Sequence, residues 1–260
     1  MNKRFFLFLL PVFLVACGSP SDEASVAEKP VELPDPNGFF TELTRFTDIE
    51  DFPHIFGKSV SDNAVRMNHR LDHMITPFKD RIKGARVLDF GAYDGRWTYA
   101  LIAAAGAEYV TGIEIDPEFA ARAEKNLQEL GVPADKYKFI TSDIMDALDN
   151  IEPGSYDGVL CAGVFYHITY HVELIAKLKE LGIKWIIMDS TIVSDERPII
   201  LWVDGPHGFN GLEGIPSRSA LERLAEAAGY KYEHVPVDHL TSRHMWHYRL
   251  GSQATMLMYE

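Results

Sequence analysis

The segment Arg86-Val-Leu-Asp-Phe-Gly-Ala-Tyr-Asp-Gly-Arg96 restricts the folds open to this chain more than any other. A short apolar run, Val87 and Leu88, closes on an acid, Asp89. Gly91 and Gly95 follow, and a helical segment runs from Trp97 to Ala105. That is a strand, a tight glycine turn and a helix. Glycine lets the turn adopt φ > 0 and approach a ligand closely. In open α/β sheets, ligands bind at the carboxyl ends of the strands, where such turns lie. The next strand-like run, Tyr109 to Ile113, ends in Glu114, whose carboxylate can accept hydrogen bonds from both hydroxyls of a ribose. A nicotinamide-type Gly-x-Gly-x-x-Gly would need glycine at 91, 93 and 96; Tyr93 and Arg96 break it.

The alternation continues downstream. Pro117 to Leu130 reads as a helix with Phe119, Ala123 and Leu127 facing inward, stopped by Gly131. Lys138 to Thr141 is a short strand. Asp143, just after it, is a favoured residue for capping the helix that runs to Leu148. Gly158 to Ala162 is a fourth strand, in which Cys161 reads as a small buried hydrophobe. Glu173 to Leu181 is a helix, and Lys184 to Met188 a strand ending at Asp189. Asp204 to Ile215, with four glycines and Pro206, reads as a long loop of the kind that carries function. Pro216 opens a helix to Ala228, with Ser219 and Glu222 spaced as a capping box and Ser217 as a competing cap. Tyr232–Val237 and Ala254–Tyr259 are strand-like and would complete the sheet as a hairpin. Their connection, His239 to Arg249, either touches substrate or is a polar turn. Ahead of the first strand, Ser61 or Asp62 can cap a helix running to Thr76. His69 and His73, four apart, share one of its faces. No third ligand accompanies them, so they are expected to be a solvated or lid-lining pair and not a metal site.

Asp89, Gly91, Gly95 and Glu114 together resemble the first motifs of the class I S-adenosylmethionine-dependent methyltransferases, with Tyr93 replacing the family's middle glycine. Tyr156-Asp157 resembles the opening of that family's fourth strand. Gly163-Val-Phe-Tyr-His167 is one conservative change from the Gly-Val-Leu-Tyr-His of a subset acting on small molecules or RNA nucleosides. Pro216, Leu221 and Ala228-Gly-Tyr230 also match. The resemblance implies a Rossmann-like, doubly wound, mostly parallel seven-stranded α/β sheet with helices on both faces and an N-terminal helical lid. It implies S-adenosylmethionine as cofactor. The methionine half would be surrounded by Asp89, Gly91 and Gly95, the ribose met by Glu114 and the adenine by Asp143, with Ala92, Tyr93, Ile115, Ile144, Ala162 and Gly163 also lining the cofactor site. The Tyr93 ring is expected to point away from the methionine moiety. Tyr166 and His167 fall at the pocket mouth, as positioner and base for a hydroxyl or amine acceptor, or as packing and capping groups. The acceptor would be a small or nucleoside-like molecule. Two other functions share this pattern: a cofactor-binding domain without activity, and a transferase using a modified S-adenosylmethionine.

The N-terminus carries a separate signal. Met1-Asn-Lys-Arg4 is basic, and Phe5 to Val15 is apolar but too short to span a bilayer. Leu14-Val-Ala-Cys17 resembles the lipobox of bacterial lipoproteins, which implies cleavage after residue 16 and lipidation of Cys17. A polar, Pro- and Glu-containing tether follows to residue 36, then a lid segment over 37–80 and the main domain over 81–260. The expected location is the cell envelope; a cytoplasmic location would suit the cytosolic supply of cofactor better. The net charge of −13 becomes about −15 once Lys3 and Arg4 are removed. That balance disfavours duplex nucleic acid and anionic headgroups as partners. With Cys17 lipidated, Cys161 stands alone and no internal disulfide forms. Oligomeric state is not encoded in any pattern. Cys17→Ser should shift the protein from the membrane fraction to the supernatant of a cell lysate; wild-type protein found unprocessed in the supernatant would overturn the lipoprotein reading.

Overall fold

The computed structural model describes residues 38–47, 60–209 and 211–260. The signal segment, Cys17 and the tether lie outside these residues. Short helices α1 (Thr44–Thr47) and α3 (Lys79–Ile82) flank the long helix α2 (Val60–Met74). Strand β1 (Arg86–Phe90) and helix α4 (Arg96–Ala103) are followed by β2 (Tyr109–Glu114) and α5 (Pro117–Glu129). Then come β3 (Tyr137–Thr141), α6 (Ile144–Leu148), β4 (Gly158–Ala162), α7 (His171–Glu180) and β5 (Trp185–Thr191). A hairpin, β6 (Ile200–Phe209) and β7 (Leu212–Pro216), precedes α8 (Arg218–Ala227) and β8 (Lys231–His234). The chain closes with α9 (Trp246–Arg249) and β9 (Gln253–Tyr259).

Seven strands form one sheet in the order β3-β2-β1-β4-β5-β9-β8. The five on the β3 side are parallel; β9 runs antiparallel to both β5 and β8. The expected Rossmann-like, mostly parallel seven-stranded fold is the one observed. Both faces are buried, as the pleat requires of a sheet covered on each side. Leu88, Val159, Cys161, Ile186 and Met188 point to one face, against α6, α7 and α8. Val87, Leu160, Trp185, Ile187 and Leu257 point to the other, against α2 and α4. Met67, Leu71, Met74 and Ile75 of α2 share that second core with Phe40, Phe46 and Trp97. Cys161 is buried, as expected, and burial pushes its thiol well above the ordinary range.

Several local expectations change. Helix α2 begins at Val60, so Ser61 and Asp62 lie within its first turn. Ser217 and not Ser219 caps α8, accepting from the Ala220 N–H at 3.1 Å. Most consequentially, residues 204–209 and 212–215 are strand and not loop. They belong to the β6–β7 hairpin, with Leu201 opposite Ile215, Trp202 opposite Gly214 and Val203 opposite Glu213. Glycine and proline suggested a loop here, but Gly214 is where the hairpin crosses His171. A β-carbon at 214 would lie 2.6 Å from the His171 ring. Cross-strand pairing and close packing override the composition.

Asp189, at the end of β5, is fully buried and ties four segments together. Its Oδ1 accepts from Arg70 Nη2 and Gln253 Nε2, and its Oδ2 from the hydroxyls of Tyr248 and Thr255, each at 2.7 Å. Burial alone would raise this carboxyl, but the Arg70 guanidinium and the three neutral donors hold it below the usual carboxylate range. Breaking a buried pair leaves an uncompensated charge, at a cost of about 3–5 kcal/mol. Asp189→Ala should therefore lower unfolding stability by about that amount in urea titrations at pH 7. Because the folded value is depressed, the wild-type contribution is present above the unfolded value near pH 4 and lost as pH falls through the folded value. A cost below 1 kcal/mol would show that Arg70 and Tyr248 are held by other contacts.

Candidate active site

The carboxyl ends of β1, β2 and β4 converge on one edge of the sheet, and the turn after β1 lies at its centre. Asp89 is buried, its Oδ2 accepting from the Thr98 hydroxyl at 2.6 Å. Its Oδ1 is buried without a hydrogen-bond partner. Burial pushes the carboxyl up to about 7, against the opposing bond from Thr98 and reinforced by Glu114. An orphaned buried acceptor is costly unless a donor arrives. Gly91 (φ 63°) and Gly95 (φ 84°) take the left-handed backbone that the turn needs. Gly95 also meets α5, where a β-carbon would lie 2.8 Å from Leu127.

Tyr93, in place of the family's glycine, adopts a left-handed backbone at φ 52°, a conformation that costs a non-glycine residue about 1–2 kcal/mol. Its N–H donates to Glu114 Oε2 at 2.8 Å. Its ring packs on Phe119 of α5, centroids 4.3 Å apart, with the Arg96 guanidinium 4.9 Å from its centre. Arg96 in turn is doubly bonded to Asp94. These contacts hold the ring on the α5 side of the turn.

Glu114 is buried, and its Oε1 accepts from the Asp116 N–H at 2.9 Å. Each of its oxygens has two lone pairs, so two backbone bonds leave capacity for two ribose hydroxyls. Ile115, beside it, is an apolar side chain 69% exposed, a surface suited to a flat ring. Asp143 caps α6 through the Met145 N–H at 2.8 Å and accepts from the Tyr170 hydroxyl at 2.9 Å. The capping expectation is met, and Tyr170 is a partner that the sequence did not suggest. Ala92 and Ile144 are buried. Ala162 ends β4, and Gly163 (φ 77°) faces open space where its β-carbon would be. The donor set fits S-adenosylmethionine: an unsatisfied acid for an ammonium, a two-oxygen acid for a diol, an apolar shelf and an open glycine.

A 3-10 turn, Phe165–His167, follows β4 and brings in the two catalytic candidates. Tyr166 is half-buried and bonds Thr191 at the end of β5; burial raises its hydroxyl above the ordinary range. His167 Nδ1 lies 3.0 Å from Glu213 Oε1. Glu213 is 8% exposed and comes from β7, so the hairpin packs its carboxylate onto the turn. Sequence reasoning missed this residue because the hairpin was read as a loop. The continuous apolar run Ile199–Val203, bounded by Pro198 and Asp204, is of strand length, but a short run without alternation does not tell a strand from a buried helix segment.

His69 and His73 do not act as a pair. His69 is half-buried, whereas His73 is 1% exposed, its ring 4.7 Å from that of Tyr248. Burial, with His239 and Arg70 adding repulsion, lowers its imidazole to about 4. Among the described residues, no three His, Cys, Asp or Glu side chains are grouped to hold a metal ion. Nor, among them, is any helix long and apolar enough to cross a membrane.

The sheet order with one reversed strand, and a site on the turn after β1, define a Rossmann-like methyltransferase fold. Residues 87–181 match the family described as a methyltransferase domain. No curated protein matches the chain in sequence. Among solved structures, the N-terminal domain of EvdMO1, determined in the presence of S-adenosylhomocysteine and D-fucose, is 20% identical with a TM-score of 0.57. That similarity covers 72% of this chain and 81% of that one. Magnesium protoporphyrin IX methyltransferase from Synechocystis PCC 6803, with bound S-adenosylmethionine, is 16% identical, with a TM-score of 0.54, covering 80% and 88%. The YcgJ protein from Bacillus subtilis is 12% identical, with a TM-score of 0.53, covering 73% and 98%.

The raised Asp89 carboxyl gives a direct test of the cofactor fit. The folded value lies above the ordinary 3.8, so in the ligand-free protein this group loses stability as pH rises from about 4 to 7. An ammonium needs the carboxylate form. Calorimetry with S-adenosylhomocysteine should show affinity about tenfold weaker at pH 6 than at pH 8, with proton release on binding. Asp89→Asn should abolish the pH dependence. Equal wild-type affinity at both pH values would mean that Asp89 does not meet the ammonium.

Proposed function

We propose that this protein transfers the methyl group of S-adenosylmethionine to a hydroxyl of a small-molecule acceptor. The observation that carries the acceptor chemistry is the His167 imidazole, held on Glu213 in the turn that follows β4. A neutral hydroxyl is a poor nucleophile unless its proton is taken up as the bond forms. The presence of D-fucose with the EvdMO1 domain is in keeping with a hydroxyl-bearing acceptor, a sugar or nucleoside among them.

When bound, S-adenosylmethionine supplies an activated methyl group on a sulfonium. The chain's own residues supply the rest. Asp89, Gly91 and Gly163 would hold the methionine half; Glu114 would hold the ribose. Ile115, Asp143 and Ile144 would surround the adenine. Tyr166 would orient the acceptor, and His167 would accept its proton. His167 would take the O–H proton as the acceptor oxygen is alkylated, and the cofactor would leave as the neutral thioether. Helix α2, with Arg70 and His73 on the Asp189 side, would serve as the wall or lid of the acceptor pocket. From the separate resemblance of Leu14-Val-Ala-Cys17 to a lipobox, we further propose lipidation at Cys17 and tethering to a membrane of the cell envelope.

Two variants separate binding from chemistry. Charge-assisted hydrogen bonds are worth roughly 1.5–3 kcal/mol each, so Glu114→Ala should weaken S-adenosylhomocysteine at least tenfold. His167→Ala should leave that affinity unchanged. It should slow transfer of labelled methyl to a panel of hydroxyl-bearing acceptors, D-fucose included, by roughly 10²–10⁴-fold. Unchanged turnover would remove His167 from the mechanism, and no binding by wild-type protein would leave only the fold.

A further inference from the structure

The β6–β7 hairpin stands outside the seven-stranded sheet, between β5 and α8. Its described contacts are concentrated on the turn that carries Tyr166 and His167. Trp202 lies against the His171 ring, centroids 5.9 Å apart. Gly214 approaches that ring so closely that any β-carbon would collide with it. His171 Nε2 is itself 3.1 Å from the Phe165 carbonyl, which fixes the start of the turn. At the middle of this contact the hairpin buries a carboxylate, Glu213, with its Oε1 on His167 Nδ1. Burying a carboxylate is expensive, and a packing element has no use for one.

We infer that Glu213 is a positioning residue for methyl transfer: it selects the Nδ1–H tautomer of His167, turns Nε2 toward the acceptor, and stabilises the imidazolium formed when Nε2 takes the proton. The inference rests on the hydroxyl-directed methyltransferase reading above and names the residue that makes His167 competent for it. The two ring nitrogens of histidine are distinct, and the partner of one decides which proton the other lacks. With Nδ1–H donated to a carboxylate, Nε2 keeps its lone pair. Without the carboxylate, the proton is free to move to Nε2, and the base is lost in that fraction of molecules. The hairpin is then the arm that completes the base, not a decoration of the fold.

The experiment uses the full chain with ring-¹⁵N histidine. There are ten histidines, and comparison with His167→Asn identifies the resonances of interest. Wild-type protein at a pH where His167 is neutral should show it protonated at Nδ1. Glu213→Gln keeps an acceptor oxygen at the same place, so the tautomer should be retained while turnover falls by roughly tenfold. Glu213→Ala should return His167 to the mixture of tautomers found in free histidine and lower turnover by on the order of a hundredfold. A wild-type His167 protonated at Nε2, or an unchanged tautomer in Glu213→Ala, would overturn the assignment. Gln and Ala variants with equal turnover would do the same. S-adenosylhomocysteine calorimetry on each variant keeps the two readings apart. Affinity should stay at the wild-type value throughout. Wild-type protein that shows the Nδ1–H tautomer but binds no S-adenosylhomocysteine would refute the methyltransferase reading instead.

Discussion

Much of this structure hangs on one buried carboxylate. Asp189 sits at the carboxyl end of β5 with no exposure, and every lone pair that matters is used. Arg70 reaches it from α2, Tyr248 from α9, and Gln253 and Thr255 from β9. A charge in that position would be intolerable alone. With a guanidinium and three neutral donors it fixes the position of α2 over the sheet edge and of β9 beside β5. The tie also reaches the site directly, because the Gly163 N–H donates to the Asp189 carbonyl at 2.8 Å.

The glycine turn shows how one stretch of chain serves packing and binding at once. Gly95 is required by α5, whose Leu127 and Ala123 leave no room for a side chain. Gly91 is closer to function, with Val164 of the turn after β4 packed 3.1 Å from where its β-carbon would be. Tyr93 departs from the family's glycine, and its backbone is left-handed all the same. The cost is offset by the ring's contacts with Phe119 and Arg96 and by the N–H bond to Glu114. The acid that would hold a ribose is thus also the acid that holds the turn in shape.

Tyr156-Asp157, read from the sequence as part of a family pattern, has a structural explanation. Asp157 accepts from the Arg86 N–H and from Lys184, linking the starts of β1, β4 and β5. The Tyr156 hydroxyl bonds Thr111 of β2 at 2.6 Å. These contacts sit at the amino ends of the strands, away from the site. They set strand register, and register sets which residues emerge at the carboxyl edge.

By itself, the sequence determined what local chemistry can specify. Apolar runs of strand length, glycines at 91 and 95, and proline at 117 encode strand, turn and helix through backbone sterics, which need no partner far along the chain. Asp116 and Asp143 mark helix starts for the same reason, since a cap bonds its own neighbours. Asp89 and Glu114 fall at strand ends on that reading, whereas Tyr166 and His167, placed at the site by the family resemblance alone, lie in the 3-10 turn after β4. What only the tertiary structure decided are the contacts between residues distant in sequence. Glu213 meets His167 across 46 positions and Arg70 meets Asp189 across 119. His73 became a buried neutral ring and not half of a pair, because Tyr248 folds over it. Residues 204–209 and 212–215 became strands of a hairpin because pairing between strands and packing on His171 outweigh the loop preference of their glycines. Long-range electrostatics and packing have no period, so no window along the chain contains them.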